Sequence, residues 1–258
     1  MAMVAHLTTK LEREREFHNQ LFAGEERGAG AFYAIAESSF AYYEAKIRDR
    51  GTNRRVLEYG CGRTSFATAM ASAGATVTGI DISEVAVDTS RALATEQDLE
   101  DQLDFQVMDA ENLPFESEFD LVCGTGILHH LDLELALRGI ARALRPNGSA
   151  VFLEPLGHNP VINLYRDRTP TQRSEDEHPL LMSDLRAASE HFSTVRVRFF
   201  HLTSLAALAL RGRTGFTAAT GLLEKLDSAL FRLWPRSRSW AWIAVIALDG
   251  PRPAREAS

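Results

Sequence analysis

Cysteine is almost missing from this chain, with only Cys61 and Cys123 in 258 residues. Two thiols build no disulfide framework, and they are too few for a zinc site without help from histidine. No metal constellation follows from the spacing of the other ligand types. Asp176-Glu177-His178 has suitable residues, but at a spacing that suits surface ion pairing. Long apolar runs are missing too. The most apolar stretch, Trp240 to Leu248, is too short to cross a bilayer and reads as a buried strand, so no integral membrane segment is expected. Residues Met1 to Glu16 lack the apolar centre of a signal peptide, which makes a cytoplasmic location the expectation. There is no surplus of positive charge either. A net charge of −7 argues against a nucleic-acid partner.

What is there is the composition of a globular protein, 45% apolar and 24% charged. The expected organisation is a single domain over 1–258, with a helical cap at 1–50, a core at 51–200 and 240–250, and a helical insertion at 201–239. In the cap, Leu11 to Phe22 has helical character, and aromatics recur after Gly28-Ala29-Gly30 at Phe32, Tyr33, Phe40, Tyr42 and Tyr43. Such a segment packs on the main domain through its aromatic face, closes over a ligand as a lid, or does both.

From residue 54 strands and helices alternate. Strands are expected at Arg55–Tyr59, Thr76–Ile80, Leu103–Met108, Asp120–Cys123 and Ala150–Leu153, with helices at Phe66–Ala73, Val85–Thr95 and Leu133–Leu144 between them. Arg145-Pro-Asn-Gly148 has the composition of a helix stop. Alternation at this spacing predicts a largely parallel sheet covered on both faces. A helix at Leu180–His191 and strands at Val195–Phe200 and Trp240–Leu248 complete a seven-stranded α/β fold. The interval before the last strand carries Leu222, Leu223, Leu226, Leu230 and Leu233 at helical spacing, with six basic residues from Arg211 to Arg238. It reads as an added helical cap or subunit contact, which leaves self-association open, or as an amphipathic element on a membrane surface. The tail from Pro251 reads as disordered.

Open parallel sheets bind ligands outside the carboxyl ends of their strands. After the first strand, Gly60-Cys61-Gly62 lets the backbone turn sharply and approach a ligand. After the second, Asp81 stands about 20 residues beyond those glycines, the spacing at which an acid accepts ribose hydroxyls. After the third, Asp109-Ala-Glu-Asn-Leu-Pro-Phe115 offers a carboxylate beside apolar residues.

Val56-Leu-Glu-Tyr-Gly-Cys-Gly62 and Gly79-Ile-Asp-Ile-Ser83 resemble the first two motifs of class I methyltransferases, which have a Rossmann-like fold. Asp109 to Phe115, Phe119-Asp-Leu-Val122, Leu128-His-His-Leu131 and Leu144-Arg-Pro-Asn-Gly148 then follow in that family's order, over roughly residues 54 to 155. The resemblance implies S-adenosyl-L-methionine as cofactor. It places Asp81 at the ribose, Asp109 and Ala110 at the adenine, and Glu58, Gly60, Cys61, Gly62, Ile82 and Thr125 among the other cofactor contacts. The family usually has a further glycine where this chain has Thr64. A nicotinamide dehydrogenase is the distant alternative; Gly60-x-Gly62-x-x-Ser65 lacks the third glycine of dinucleotide folds, and the Asp109 segment has no role there. A non-catalytic nucleoside-binding module is the other.

On the acceptor side, His129 and His130 follow the fourth strand, and His158 follows the fifth. His158 and His129 are the candidate bases for an acceptor that must lose a proton. Residues 155–180 read as a long polar connection at the site end of the sheet, where such loops carry function. Asn159, Tyr165 and Arg166 are its candidate acceptor contacts. The expected reaction is methyl transfer to O, N or C of a small-molecule metabolite, in secondary metabolism, with a peptide or protein acceptor as the alternative.

Overall fold

The computed structural model describes residues 2–23, 30–62, 65–169, 174 and 176–252. Seven strands form one sheet in the order β3-β2-β1-β4-β5-β7-β6. They are β1 (Arg55–Tyr59), β2 (Thr76–Asp81), β3 (Leu103–Val107), β4 (Phe119–Thr125), β5 (Leu144–Pro155), β6 (Phe192–Phe200) and β7 (Ile243–Pro251). The first five run parallel, and β7 runs antiparallel to both β5 and β6. The Rossmann-like expectation holds, and the strand order reverses direction between β1 and β4, the position at which open parallel sheets take their ligands.

Apolar residues on both faces of the central strands explain the two cores. One face packs Tyr43 and Ile47 of α3 (Glu37–Gly51) against Val56, Val77, Leu121 and Val151. The other packs Leu137 and Ile140 of α6 (Leu133–Ala143) against Leu57, Val122 and Phe152. Around the crevice, α5 (Glu84–Glu96) starts at Ser83, whose hydroxyl accepts from Ala86 N–H, and α6 starts at Asp132, which accepts from Leu135 N–H. These side chains satisfy backbone donors that a helix start leaves unpaired. α4 (Ala67–Ala71) is shorter than its sequence suggests.

Four expectations need correction. Arg145-Pro-Asn-Gly148 does not cap α6. Leu144 is already extended and the four residues lie within β5, where the register against β4 jumps between Phe119↔Leu144 and Leu121↔Ser149. The bulge absorbs the proline, and Arg145 turns its guanidinium to Asp120 at 2.9 Å. The connection after β5 is no plain loop, because Pro160–Arg168 form helix α7, begun by Asn159 and by Pro160 in its first turn. Trp240 belongs to a 3-10 turn (Pro235–Trp240), with β7 beginning at Ile243. Pro251 is paired with Phe192 at the end of β7, and residues 253–258 lie outside the described ones.

The insertion contains a 3-10 segment (Thr203–Leu210) and α9 (Phe216–Leu233). Its inward anchor is polar. Buried Asp227 accepts from the backbone of Leu202, Thr203 and Ser204 and from the Thr203 hydroxyl. With that face turned inward, Leu222, Leu226 and Leu233 point to solvent, Leu233 at 81% exposure. No helix among the described residues is long and apolar enough to cross a membrane.

Candidate active site

The strand ends bring the predicted cofactor residues into one row. Gly60 has φ +72°, and a Cβ there would lie 2.9 Å from Ile127 Cγ1, so the turn after β1 requires glycine on both counts. Asp81 is 9% exposed. One of its oxygens accepts from Gly62 N–H at 2.9 Å and the other from Ser83 N–H at 2.8 Å. Burial pushes its pKa up, and these two amides oppose the rise. Each oxygen keeps one lone pair for a ligand hydroxyl. After β3, the Asp109 oxygens accept from Glu111 N–H and the Asn112 amide, which fixes the turn. The Tyr59 hydroxyl donates to Ala110 C=O and ties this turn to β1.

Two predicted cofactor contacts face elsewhere. The Glu58 carboxylate is buried and accepts from the Ser65 hydroxyl and from Phe66 N–H, so it shapes the entry to α4; burial raises its pKa to about 7. The Cys61 thiol is buried and pushed well above the usual thiol range by desolvation, leaving only its backbone toward the crevice. Ile82 and Thr125 stand half-buried at the ends of β2 and β4. Thr64 lies outside the described residues.

On the acceptor side the structure separates the candidates. His129 is buried, and its Nδ1 lies 2.8 Å from Glu154 Oε2. Glu154 is fully buried at the end of β5; its other oxygen accepts from the amides of Ile127 and Leu128, both at 2.9 Å. Burial pushes His129 down to about 3 and Glu154 up to about 7. Facing the ionised carboxylate, His129 carries its proton on Nδ1 and keeps a lone pair on Nε2; with Glu154 protonated the roles at Nδ1 reverse. Glu177 Oε1 is 4.0 Å from that nitrogen.

His158, by contrast, is exposed, and its Nε2 accepts from Met182 N–H at 3.4 Å, at the start of α8 (Met182–His191). It makes no described contact with the His129–Glu154 pair, so the structure does not bring the two candidate bases together. Asn159 is also corrected. It is 1% exposed; its oxygen caps α7 at Val161 and Ile162, and its amide donates to Trp240 C=O. Arg166 is buried and donates to Leu156 C=O and Asn163, holding α7 on the end of β5. Tyr165 remains on the acceptor side, its ring 4.6 Å from that of Phe32, which in turn meets Trp242. Arg173 lies outside the described residues.

Sequence reading missed the reach of α1 (Ala2–Ala23). This helix touches the loop after each of the first five strands in turn. Phe22 lies beside Gly62, where a Cβ would be 3.5 Å from its ring. Asn19 accepts from the Ser83 hydroxyl at 2.6 Å, and Lys10 pairs with Glu111 at 3.1 Å. Glu14 lies 3.2 Å from His130, and Arg13 pairs with Asp176 at 2.9 Å. The helix thus lies against the loops at the strand ends, while α3 packs on the sheet. Helical character was legible over Leu11 to Phe22, but partners up to 163 residues away leave no local signal.

Comparison with known proteins agrees with this geometry. Residues 57–152 match the methyltransferase domain family model. The chain is 40% identical over 97 residues to 27-O-demethylrifamycin SV methyltransferase of Amycolatopsis mediterranei, a match covering 36% of each. It is 36% identical over 115 residues to a ubiquinone biosynthesis O-methyltransferase of Alkalilimnicola ehrlichii, covering 43% of this chain and 45% of that one. These matches therefore span less than half of either relative. Among solved structures, geranyl diphosphate C-methyltransferase of Streptomyces coelicolor superposes with a TM-score of 0.58 at 18% identity, over 83% of this chain and 80% of that one. Phosphoethanolamine N-methyltransferase 2 of Haemonchus contortus gives 0.60 at 16%, over 87% and 57%. Over residues 57–152, within the part of the chain that builds β1 to β5, this chain is similar to methyltransferase domains, and its fold is that of the solved methyltransferases.

Proposed function

We propose that this protein transfers a methyl group from S-adenosylmethionine to a hydroxyl oxygen of a small molecule. The observation that carries this reading is the buried His129–Glu154 pair, set at the end of β4 and β5 beside a row of nucleoside-binding groups.

The residues present fit the cofactor. Asp81 offers two acceptor oxygens at one level, held by the amides of Gly62 and Ser83. The glycine turn leaves no side chain between β1 and the crevice, and the turn after β3 holds the Asp109 carboxylate rigid beside Ala110. Asp81 would take the ribose hydroxyls, and Asp109 with Ala110 the adenine. The bound cofactor supplies a methyl group on a sulfonium centre, already activated for displacement.

The chain's own task is then to place the acceptor, exclude water and take a proton. Helix α1 covers the crevice, and opening or closing its polar contacts controls entry. Phe32, Tyr33, Tyr165 and Trp242 form an aromatic group that suits an apolar or aromatic acceptor. His129 accepts the hydroxyl proton at Nε2, and Glu154, bonded at Nδ1, fixes the tautomer and stabilises the imidazolium that forms. An acceptor that needs deprotonation favours oxygen, as in the names of the rifamycin and ubiquinone relatives. The rifamycin relative also supports a secondary metabolite as acceptor.

Calorimetry with S-adenosylhomocysteine tests the cofactor half, and single-turnover transfer of labelled methyl to a panel of phenols tests the rest. Absence of S-adenosylhomocysteine binding removes the whole reading. Transfer that His129→Ala leaves at the wild-type rate removes the base.

A further inference from the structure

We infer that Glu14 and His18 of the lid, together with His130 of the core, form a binding site for a divalent first-row transition metal that fastens α1 over the crevice. Glu14 Oε2 lies 3.3 Å from His18 Nε2 and 3.2 Å from His130 Nδ1. Two donors on a tetrahedral or octahedral shell with bonds of about 2.0–2.2 Å are separated by about 2.9–3.6 Å, so both separations are those of a shared ion. All three donor atoms fall within 4.8 Å of one another. Glu14 and His18 are four residues apart on one helix face, the spacing that lets two side chains of a helix reach one ion.

Burial gives an independent reason. Glu14 and His130 are 6% and 8% exposed. Neither carboxylate oxygen of Glu14 has a hydrogen bond of good geometry among the described residues. Buried polar atoms left this way are costly, and a cation between Glu14 Oε2, His18 Nε2 and His130 Nδ1 satisfies the carboxylate and takes one nitrogen of each imidazole. Two histidines and one carboxylate form a donor set that zinc, iron(II) and cobalt(II) accept. Ser174 Oγ, 3.4 Å from His130 Nδ1, stands at the edge of the set. Because two ligands ride on α1 and the third follows β4, an ion here couples metal binding to lid closure.

The test uses the full chain stripped with chelator and titrated with zinc by calorimetry and with cobalt(II) by visible absorption. One ion per chain is expected, with affinity weakened at least tenfold by Glu14→Gln and by His18→Ala and unchanged by His191→Ala, which alters a separate His191–Glu134 pair. Hydrogen exchange read in parallel is expected to show α1 protected by zinc in the wild type and in His191→Ala only. No stoichiometric binding, or binding that Glu14→Gln and His18→Ala leave unchanged, overturns the site; an ion that survives both changes but not Glu177→Gln belongs to His129, His130 and Glu177 instead. Circular dichroism of Glu14→Gln, which keeps the shape of the side chain, separates lost ligation from lost fold. Cofactor affinity of the stripped protein, measured alongside, reports on the methyltransferase reading separately.

Discussion

Changing Glu154 to glutamine alters one atom and one charge, and it isolates what the carboxylate does to His129. In the wild type, Oε1 accepts from two backbone amides at 2.9 Å and Oε2 faces His129 Nδ1 at 2.8 Å. Glutamine has a single acceptor oxygen, and the two amides of Ile127 and Leu128 claim it. Its NH₂ then points at His129 Nδ1 and donates, so the imidazole proton moves to Nε2 and the lone pair there is lost. The rate of methyl transfer is expected to fall by about 10²–10⁴, the range for a general base, or roughly 3–5 kcal/mol of barrier. The fold is expected to survive. Burial holds the Glu154 pKa near 7 against an ordinary 4.5, so the charge that glutamine removes is one the folded state holds at a cost above that pH. Rapid-quench single turnover, with cofactor affinity measured separately, is the assay. His129→Ala and the double variant complete a cycle, and residues acting as a unit give a double variant scarcely slower than either single one. A wild-type rate in Glu154→Gln, or losses that multiply in the double variant, would refute the pairing.

Three further outcomes are expected. Asp81→Ala removes two charge-assisted hydrogen bonds to the ribose, each worth about 1.5–3 kcal/mol, and frees the Gly62 amide; calorimetry showing undiminished S-adenosylmethionine affinity would take Asp81 out of the site. Asp109→Asn is expected to weaken cofactor binding while exposed Asp98→Asn does not, and equal effects would remove the adenine role. Glu58 has a folded pKa near 7 against 4.5 unfolded, so its contribution to stability is full below about 4.5 and is lost as pH rises through 7, a span on the order of 3 kcal/mol. Thermal melts of Glu58→Gln between pH 5 and 8 are therefore expected to be flatter than wild type, and parallel curves would count against that burial.

The fold was legible because its signals are local. Val56-Leu-Glu-Tyr59 before a glycine turn and Val77 to Asp81 before Ser83 each show a buried strand ending in a polar turn, and the structure places the first as expected and the second one residue longer. Boundaries failed where a tertiary partner overrode composition. Arg145-Pro-Asn-Gly148 looks like a helix stop in isolation, yet pairing with β4 takes it into the sheet. Asn159-Pro160 carries a cap and a first-turn proline, the start signal of α7, but the polar residues after it masked the helix. The positions of the candidate cofactor groups were legible for the same reason, since they sit at fixed offsets after strands. On the acceptor side, Asn159 and Arg166 have the chemistry of ligand contacts and spend it on the backbone instead.

The lid shows most plainly why acceptor chemistry resists sequence reading. Helix α1 has no strong apolar stripe; what holds it is Lys10 on Glu111, Arg13 on Asp176, Glu14 against His130 and Asn19 on Ser83, one polar contact for each of four loops. The exposed Arg13–Asp176 pair is worth about 0–1 kcal/mol, while Lys10–Glu111 and Asn19–Ser83 are part-buried, so the helix is held by several separate polar ties. A lid built this way opens at small cost, as exchange of cofactor and product requires, whereas an apolar seam would lock it. Phe22 beside Gly62 and the buried Glu14 with His130 are the exceptions, and both lie over the crevice itself. Under the proposed methyl transfer, the apolar contact at Phe22 is the one suited to keep water out, and the polar ties around it leave no period in the sequence.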